Sequence, residues 1–340
     1  MPAFTHENKP LLALTMGDIN GIGPEVLAKA LARPEPWAVC RLIVLGSADV
    51  LEQARVFAPS CPQVRRVSTL EEAAALRGVV PVYEGGRAIP GLQPGVVDAA
   101  AAQCVIDWIT QATQWAMDGA VDGVVTCPIH KEGLQLAGCR HAGHTDLIAE
   151  LTGGHDYRMC LFAENMRIVH ITGHLSLRAA LDEVKEERIL ATTLIADAAL
   201  RRMGFDRPRI AVAGLNPHAG EAGRFGSEEI EEIAPAVKAA RAQGIDCSGP
   251  WPPDTLFGRM RAGDFDLVIA MYHDQGHIPL KLIAMDEGVN VTLGIPIVRT
   301  SVDHGTAYDI AWQGHAREHS LVAAIHLAAR LARLRAGATQ

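Results

Sequence analysis

The sequence lacks most of the features by which a protein class is read at a glance. No apolar run reaches the roughly 18 residues that a membrane helix needs. The polar opening from Met1 to Pro10 carries no signal-peptide pattern. There is no long basic run and the formal net charge is -8, which argues against nucleic acid or an anionic membrane as partner. The 7 cysteines are scattered and never form a C-x-x-C pair. That excludes a zinc-thiolate site of the usual spacing and points to free thiols in a reducing, cytoplasmic compartment. G-x-S-x-G is missing, so an α/β-hydrolase nucleophile is not supported. No catalytic-cysteine signature surrounds any thiol, and Cys127 reads as a packing residue without an activating partner. Internal repeats and low-complexity linkers are missing too.

What is present is a long alternation of apolar, β-rich runs and helical patterns. Strands are expected at Leu11–Met16, Leu42–Leu45, Val64–Val67, Val79–Val82, Gly123–Thr126, Met166–Ile171, Arg209–Gly214 and Leu267–Met271. Helices are expected at Pro24–Ala32, Asp98–Met117, Glu186–Met203, Ser227–Ala242 and Leu321–Leu334. The alternation predicts an α/β fold with a largely parallel sheet. A chain of 340 residues is long for one core and natural for two lobes. Without a linker between them, one lobe is expected to be discontinuous, the chain crossing to the second and returning.

Nearly every polar motif directly follows an expected strand: Gly17–Gly23, Thr126–Lys131, Thr172–His174, Asn216–Gly220 and His273–Gly276. In open α/β sheets ligands bind at the carboxyl ends of strands, so the shared position predicts one site. The first motif continues as Gly21-Ile22-Gly23-Pro24-Glu25. It is neither the G-x-G-x-x-G dinucleotide fingerprint nor a P-loop, and it suits a plain strand-to-helix turn as well as an anion site. Histidine is abundant, with 14 copies. His174, His218 and His273 each sit in a strand-end motif. Each alone reads as a hydrogen-bonded structural histidine; together, three neutral imidazoles with an open position describe a catalytic zinc-type site. His304, in a glycine-flanked run, suits ligand contact, whereas His315, His319 and His326 read as surface or packing residues. Lys131, His144, Thr145, Lys281, Asn290 and Arg299 are candidate anion binders. Arg299 closes the apolar run that begins at Val289, where it is either a phosphate ligand or a salt-bridged structural residue.

Three stretches carry a resemblance: Gly-Leu-Asn-Pro-His-Ala-Gly-Glu (214–221), Met-Tyr-His-Asp-Gln-Gly (271–276) and Arg-Thr-Ser-Val-Asp-His-Gly-Thr-Ala (299–307). They are similar to the 4-hydroxythreonine-4-phosphate dehydrogenase family of pyridoxine biosynthesis, from about Leu12 to Ala329. That family shares its fold with isocitrate and isopropylmalate dehydrogenases. The resemblance implies a two-lobed α/β/α fold that is not Rossmann. Its expected division is a NAD-binding lobe over 1–128 plus 272–340 and a metal and dimerisation lobe over 129–271.

The resemblance further implies NAD (or NADP) as cofactor and one divalent metal, zinc, magnesium, cobalt or manganese, on His174, His218 and His273. It places substrate on His144, Thr145, Lys281, Asn290 and Arg299, and cofactor on His304, Gly305, Thr306, Ala307 and Asp309. The histidines come from both subunits of a homodimer. Asp274 is expected to orient a ligand or relay a proton, and Lys131 to donate a proton to the enolate. The implied activity is oxidation and decarboxylation of a small phosphorylated hydroxy acid. Several positions depart from the family's habit: Ile19-Asn20 stands for Pro-Ala, His130 for Asn, Ala142 for Pro and Gly173 for Thr. The segment Gly276-His277-Ile278-Pro279 reads closer to a paralogous branch that acts on threonate or erythronate 4-phosphate. An aromatic dihydrodiol dehydrogenase is a further alternative, disfavoured by intact Asn290 and Arg299. A non-redox metal lyase using the same histidines is another.

Overall fold

The computed structural model describes residues 9–154 and 156–338. Its strands are labelled in chain order. First come β1 (Leu11–Thr15), β2 (Arg41–Leu45), β3 (Gln63–Val67), β4 (Val79–Tyr83) and β5 (Gly123–Thr126). Then follow β6 (Arg158–Ala163), β7 (Met166–His170), β8 (Ile210–Ala213), β9 (Cys247–Trp251), β10 (Leu267–Ala270) and β11 (Val289–Leu293). β12 (Arg299–Val302) is last. The chain divides into two compact units, one made of residues up to 154 with 295–337, the other of residues 156–294.

In the first unit the strand order is β3-β4-β2-β1-β5-β12. Each described neighbour pair is parallel. β1 is buried along its whole length, as an apolar strand covered on both faces must be. The helix Ala99–Met117 covers the sheet, with Asp98 capping its first turn by accepting from the Ala101 amide at 2.6 Å. Its Trp108 is 2% exposed, and the indole N–H donates to the Glu84 carbonyl at 2.9 Å. That bond satisfies the one polar atom of a large buried ring.

The second unit runs β11-β6-β7-β10-β8-β9. β7, β10, β8 and β9 pair in parallel, but β6 pairs antiparallel with both β7 and β11. The β6–β7 hairpin, which sequence periodicity missed, turns over Glu164-Asn165, with Glu164 at φ 50°. Leu161, Met166, Ile168, Val268 and Phe257 form the core under it.

The sequence reading placed the crossings at 128/129 and 271/272, whereas the contacts place them on either side of residue 155 and at 294/295. Pairing accounts for the difference. The helices Lys131–Leu136 and His144–Leu151 pack on Ala99–Met117 and so stay with the first unit. β11 hydrogen-bonds to β6 from Val289 to Leu293 and so stays with the second. The helix expected over Ser227–Ala242 is also altered. It contains a π-helical turn at Glu229–Ile233 before the regular helix Ala234–Ala242.

One buried ion pair ties the first helix to the chain's late loop. Glu25, wholly buried in the helix Gly23–Leu31, accepts from Lys29 Nζ at 2.7 Å and from the amides of Ala316 at 2.8 Å and Gly314 at 3.1 Å. Lys29 Nζ in turn donates to the Gly314 and Ala316 carbonyls. Removing the carboxylate strands a mostly buried ammonium and two amides. Glu25→Ala is therefore expected to cost about 3 kcal/mol, read from the denaturant midpoint at constant m-value. A loss below about 1 kcal/mol would show the pair to be decoration.

Candidate functional site

β1, β5 and β12 are adjacent and parallel, so their carboxyl ends lie side by side. The Asp18 amide donates to the Pro128 carbonyl at 3.0 Å, and the Ile22 amide to the Thr306 carbonyl at 3.0 Å. Three strand-end segments are thereby stitched together. Gly17 is required at its place: φ is +73°, and a Cβ there would meet the Pro128 carbonyl oxygen at 2.3 Å.

Within this unit the structure assembles His144, Thr145 and Arg299. Arg299 opens β12 at 2% exposure and donates to Thr126 Oγ1 at 2.8 Å and to Thr145 Oγ1 at 3.4 Å. Burial alone presses its pKa down to about 9, so a buried anion beside it would be favourable. His144 and Thr145 open the helix His144–Leu151. The His144 Nε2 is buried with no hydrogen-bond partner among the described residues. Burial, reinforced by the Arg299 charge, holds this imidazole well below its ordinary pKa and therefore neutral. Thr126 completes the group and was missed as a site residue; its signal is its place as the last residue of β5.

The late loop carrying His304, Gly305, Thr306, Ala307 and Asp309 lies against the Gly17–Gly23 turn. Tyr308 Oη donates to Asp18 Oδ2 at 2.5 Å, and Trp312 Nε1 to the Ile19 carbonyl at 3.0 Å. Burial raises the Asp18 pKa against the lowering effect of the bonds from Tyr308 and the Asn20 amide. The His130 ring stacks on Tyr308 with centroids 4.6 Å apart, while its Nδ1 accepts from the Gly133 amide in the turn that begins at Lys131. Lys131 itself is exposed. The other expected packing residue, Cys127, is fully buried, its thiol pushed up to about 12 by burial alone.

The second unit holds all three expected metal histidines at strand ends. His174 follows β7, and His273 follows β10. His273 stands not in a loop but at the first position of the helix His273–Ala284, because Gln275 ties back to the Met271 amide at 2.7 Å and starts the turn. The rings of His174 and His273 are 5.4 Å apart and line a cleft of ≈ 300 Å³ with Thr172, Tyr272 and Asp274. His273 Nδ1 is 2.7 Å from Asp274 Oδ1. A carboxylate only accepts, so Nδ1 is the donor of this pair and Nε2 is the nitrogen turned away from it. Two neighbouring imidazoles, one with its tautomer fixed by a carboxylate, suit a divalent cation.

His218 is exposed and lies instead near Phe225, ring centroids 6.4 Å apart. Among the described residues of this single chain, no three His, Cys, Asp or Glu side chains gather as a metal site. The loop that carries His218 is strained. His218, Ala219, Glu221 and Ala222 have φ between 42° and 57°, with Gly220 at 78° and Gly223 at 90°. Left-handed backbone costs an L-residue roughly 1–2 kcal/mol, so something must hold this turn. Two further histidines that sequence reasoning left aside complete the picture. His277 stacks on His273 at 3.6 Å between centroids, and His170, 5% exposed, lies 4.7 Å from His277. Lys281, on the same helix as His273, and Asn290, on β11 with its Oδ1 buried and without a partner among the described residues, belong to this unit as well.

These features define an α/β chain of two units with an anion-ready group in one and strand-end imidazoles in the other. Residues 38–328 match the family described as pyridoxal phosphate biosynthetic protein PdxA. The D-threonate 4-phosphate dehydrogenase of Salmonella typhimurium is 44% identical over 324 residues, covering 94% of this chain and 98% of that protein. The 4-hydroxythreonine-4-phosphate dehydrogenase of Desulforapulum autotrophicum is 45% identical over 325 residues, covering 95% and 96%. The solved structure of 4-hydroxythreonine-4-phosphate dehydrogenase from Klebsiella pneumoniae superposes with a TM-score of 0.87 at 45% identity, over 96% of this chain and 98% of that one. The chain belongs to the PdxA family.

The buried imidazole sets a stability prediction. Below about pH 6.5 the unfolded chain binds a proton that folded His144 does not. Stability therefore falls with falling pH, by up to about 1.4 kcal/mol per pH unit, until the folded imidazole itself protonates. His144→Gln removes that share of the slope. Urea midpoints at about pH 7 and about pH 5 decide it; equal slopes in the two proteins would mean that His144 protonates freely in the fold.

Proposed function

We propose that this chain is a metal-dependent, NAD-linked dehydrogenase that oxidises and decarboxylates a small phosphorylated hydroxy acid, on the pattern of 4-hydroxythreonine-4-phosphate dehydrogenase. The observation that carries this is the buried Arg299 beside Thr126, Thr145 and a neutral His144. A guanidinium offers a donor fork that matches phosphate oxygens, and a neutral imidazole adds an N–H without repelling the cation. Asn290 and Lys281 supply further polar contacts to substrate. When bound, the divalent cation supplies Lewis acidity toward the substrate hydroxyl and carboxylate, and NAD supplies the hydride acceptor. His174, His218 and His273 hold that cation, with Asp274 fixing the His273 tautomer. Removal of hydride and proton from the hydroxyl β to the carboxylate gives a β-keto acid, which sheds CO2; Lys131 returns a proton to the resulting enolate. His304, Gly305, Thr306, Ala307 and Asp309, fixed against the Gly17–Gly23 turn, hold the cofactor.

The second reading is D-threonate 4-phosphate dehydrogenase activity, favoured by His277. It packs on His273 where the segment Gly276–Pro279 reads closest to the sugar-acid branch. The two substrates share phosphate, the oxidised hydroxyl and carboxylate, and differ in carrying an ammonium or a hydroxyl at the carbon between. The phosphate group of residues therefore cannot choose between them. NADH formation with 4-hydroxythreonine 4-phosphate, threonate 4-phosphate and erythronate 4-phosphate decides, with Arg299→Lys run in parallel. Lysine keeps the charge but loses the fork. The substitution is expected to lower kcat/KM for the phosphorylated substrate roughly 30- to 1,000-fold, about 2–4 kcal/mol, with little change in melting. A variant that melts normally and keeps full preference for the phosphorylated substrate would overturn the phosphate assignment.

A homodimer is part of the same proposal, and an apolar stripe in the second unit supports it. Ile278, Leu282 and Met285 lie along the face of the helix His273–Ala284 and its cap at 57%, 82% and 74% exposure. The i, i+4, i+7 spacing makes an apolar stripe beside the metal histidines. A second copy covering it explains both the stripe and a histidine set that one chain leaves incomplete. Leu282→Glu is expected to yield a monomer of low activity. An active monomer in light scattering with assay would refute the dimer requirement.

A further inference from the structure

In the loop that bears His218, six successive residues, 218–223, carry positive φ. What fills its concave side is one carboxylate. Glu229 is 3% exposed. Its Oε1 accepts from the amides of Leu215 and Asn216, each at 2.7 Å, and its Oε2 accepts from Asn216 Nδ2 at 2.9 Å. The fit is tight. A Cβ at Gly220 would stand 2.6 Å from Glu229 Oε2, and one at Gly214 3.2 Å from Glu229 Oε1. Gly220 leaves room for this side chain, and Gly214 leaves room for it and, more tightly, for Ala219. Glu229 also opens the π-helical turn Glu229–Ile233. Such turns widen the backbone by a residue and recur at functional sites.

We propose that Glu229 is the positioning residue for His218: it pins the residues immediately before the left-handed turn and so sets where the imidazole points. The inference rests on the reading of His218 as a metal ligand. Asn216 transmits the constraint, since its side chain is held by both Glu229 and Glu228, the latter at 2.7 Å. Without the carboxylate two part-buried amides lose their acceptor, and the strained turn can relax toward ordinary backbone, moving His218 off its vector. Loss of a residue that orients a metal ligand typically weakens metal affinity 10- to 100-fold.

The test uses the full chain and Co2+ as probe, followed by its visible absorption, with melting of the metal-free protein recorded for each variant. Glu229→Ala is expected to weaken Co2+ binding about 10- to 100-fold. Glu229→Gln keeps one oxygen for the two amides but sets an NH2 group against Asn216 Nδ2, so it should fall between wild type and Ala. His218→Ala should abolish the wild-type Co2+ spectrum. If His218→Ala binds Co2+ like wild type, the metal reading itself fails. If His218→Ala loses Co2+ while folded Glu229 variants bind it like wild type, the metal reading stands and the positioning role is refuted. Should Glu229→Ala not fold, Glu229→Gln carries the test alone. A merely structural role predicts lower melting with unchanged Co2+ affinity in the folded variants.

Discussion

A guanidinium taken out of water at the start of a β-strand is unfavourable unless its donors are met, and Arg299 stands in that position. Thr126 and Thr145 take two of its N–H groups. They can do so because β5 and β12 are parallel neighbours and because the helix His144–Leu151 begins where Arg299 points. The same charge bears on His144, whose own burial already disfavours protonation. One buried cation thus bears on the protonation state of its neighbour His144. The two threonine hydroxyls bring no charge of their own to the hydrogen bonds of this guanidinium. The field it casts favours an anion and disfavours a second cation.

The second unit holds its histidines by other means. Position there is imposed through the backbone and through single carboxylates. Asp274 fixes a ring tautomer on His273, and the turn around His218 is held in a backbone conformation that L-residues resist. Gly276 shows how little slack there is: a Cβ there would meet His170 Nε2 at 2.3 Å. The buried His170 and the stacked His277 form a wall behind His273, so that ring can shift only if several neighbours move with it.

Much of this was legible in the residues. Strand-end placement of polar motifs follows from apolar runs interrupted by Gly, Pro, Asn and His, and β1, β5, β7, β8 and β10 end within three residues of where those motifs begin. Arg299 could be singled out because a cation closing an apolar run must have a reason. The grouping of His144 with Arg299 could not be seen from periodicity, since 155 residues separate them and only family resemblance linked the two. Antiparallel β6 was hidden because Arg158-Met-Cys-Leu-Phe-Ala163 is buried on both faces and so lacks the alternation that marks a half-exposed strand. The unit boundaries were misplaced for a related reason. Which unit a segment joins depends on pairing partners distant in sequence, as β11 with β6 shows.

Glu229 illustrates the deeper limit. In sequence it sits in an acidic run, Glu228 to Glu232, that reads as the solvated face of a helix. Its neighbours Glu228, Glu231 and Glu232 fit that reading better, since Glu232 pairs with Lys185 at the surface. What separates Glu229 is its burial at the start of a π-helical turn, and no residue pattern announces such a turn. Side chains that bind a ligand directly leave short, chemically specific motifs. Those that hold a loop by its amides leave almost none, because the groups they recognise are common to every residue. The second kind of residue therefore becomes visible only when backbone hydrogen bonds are traced one by one.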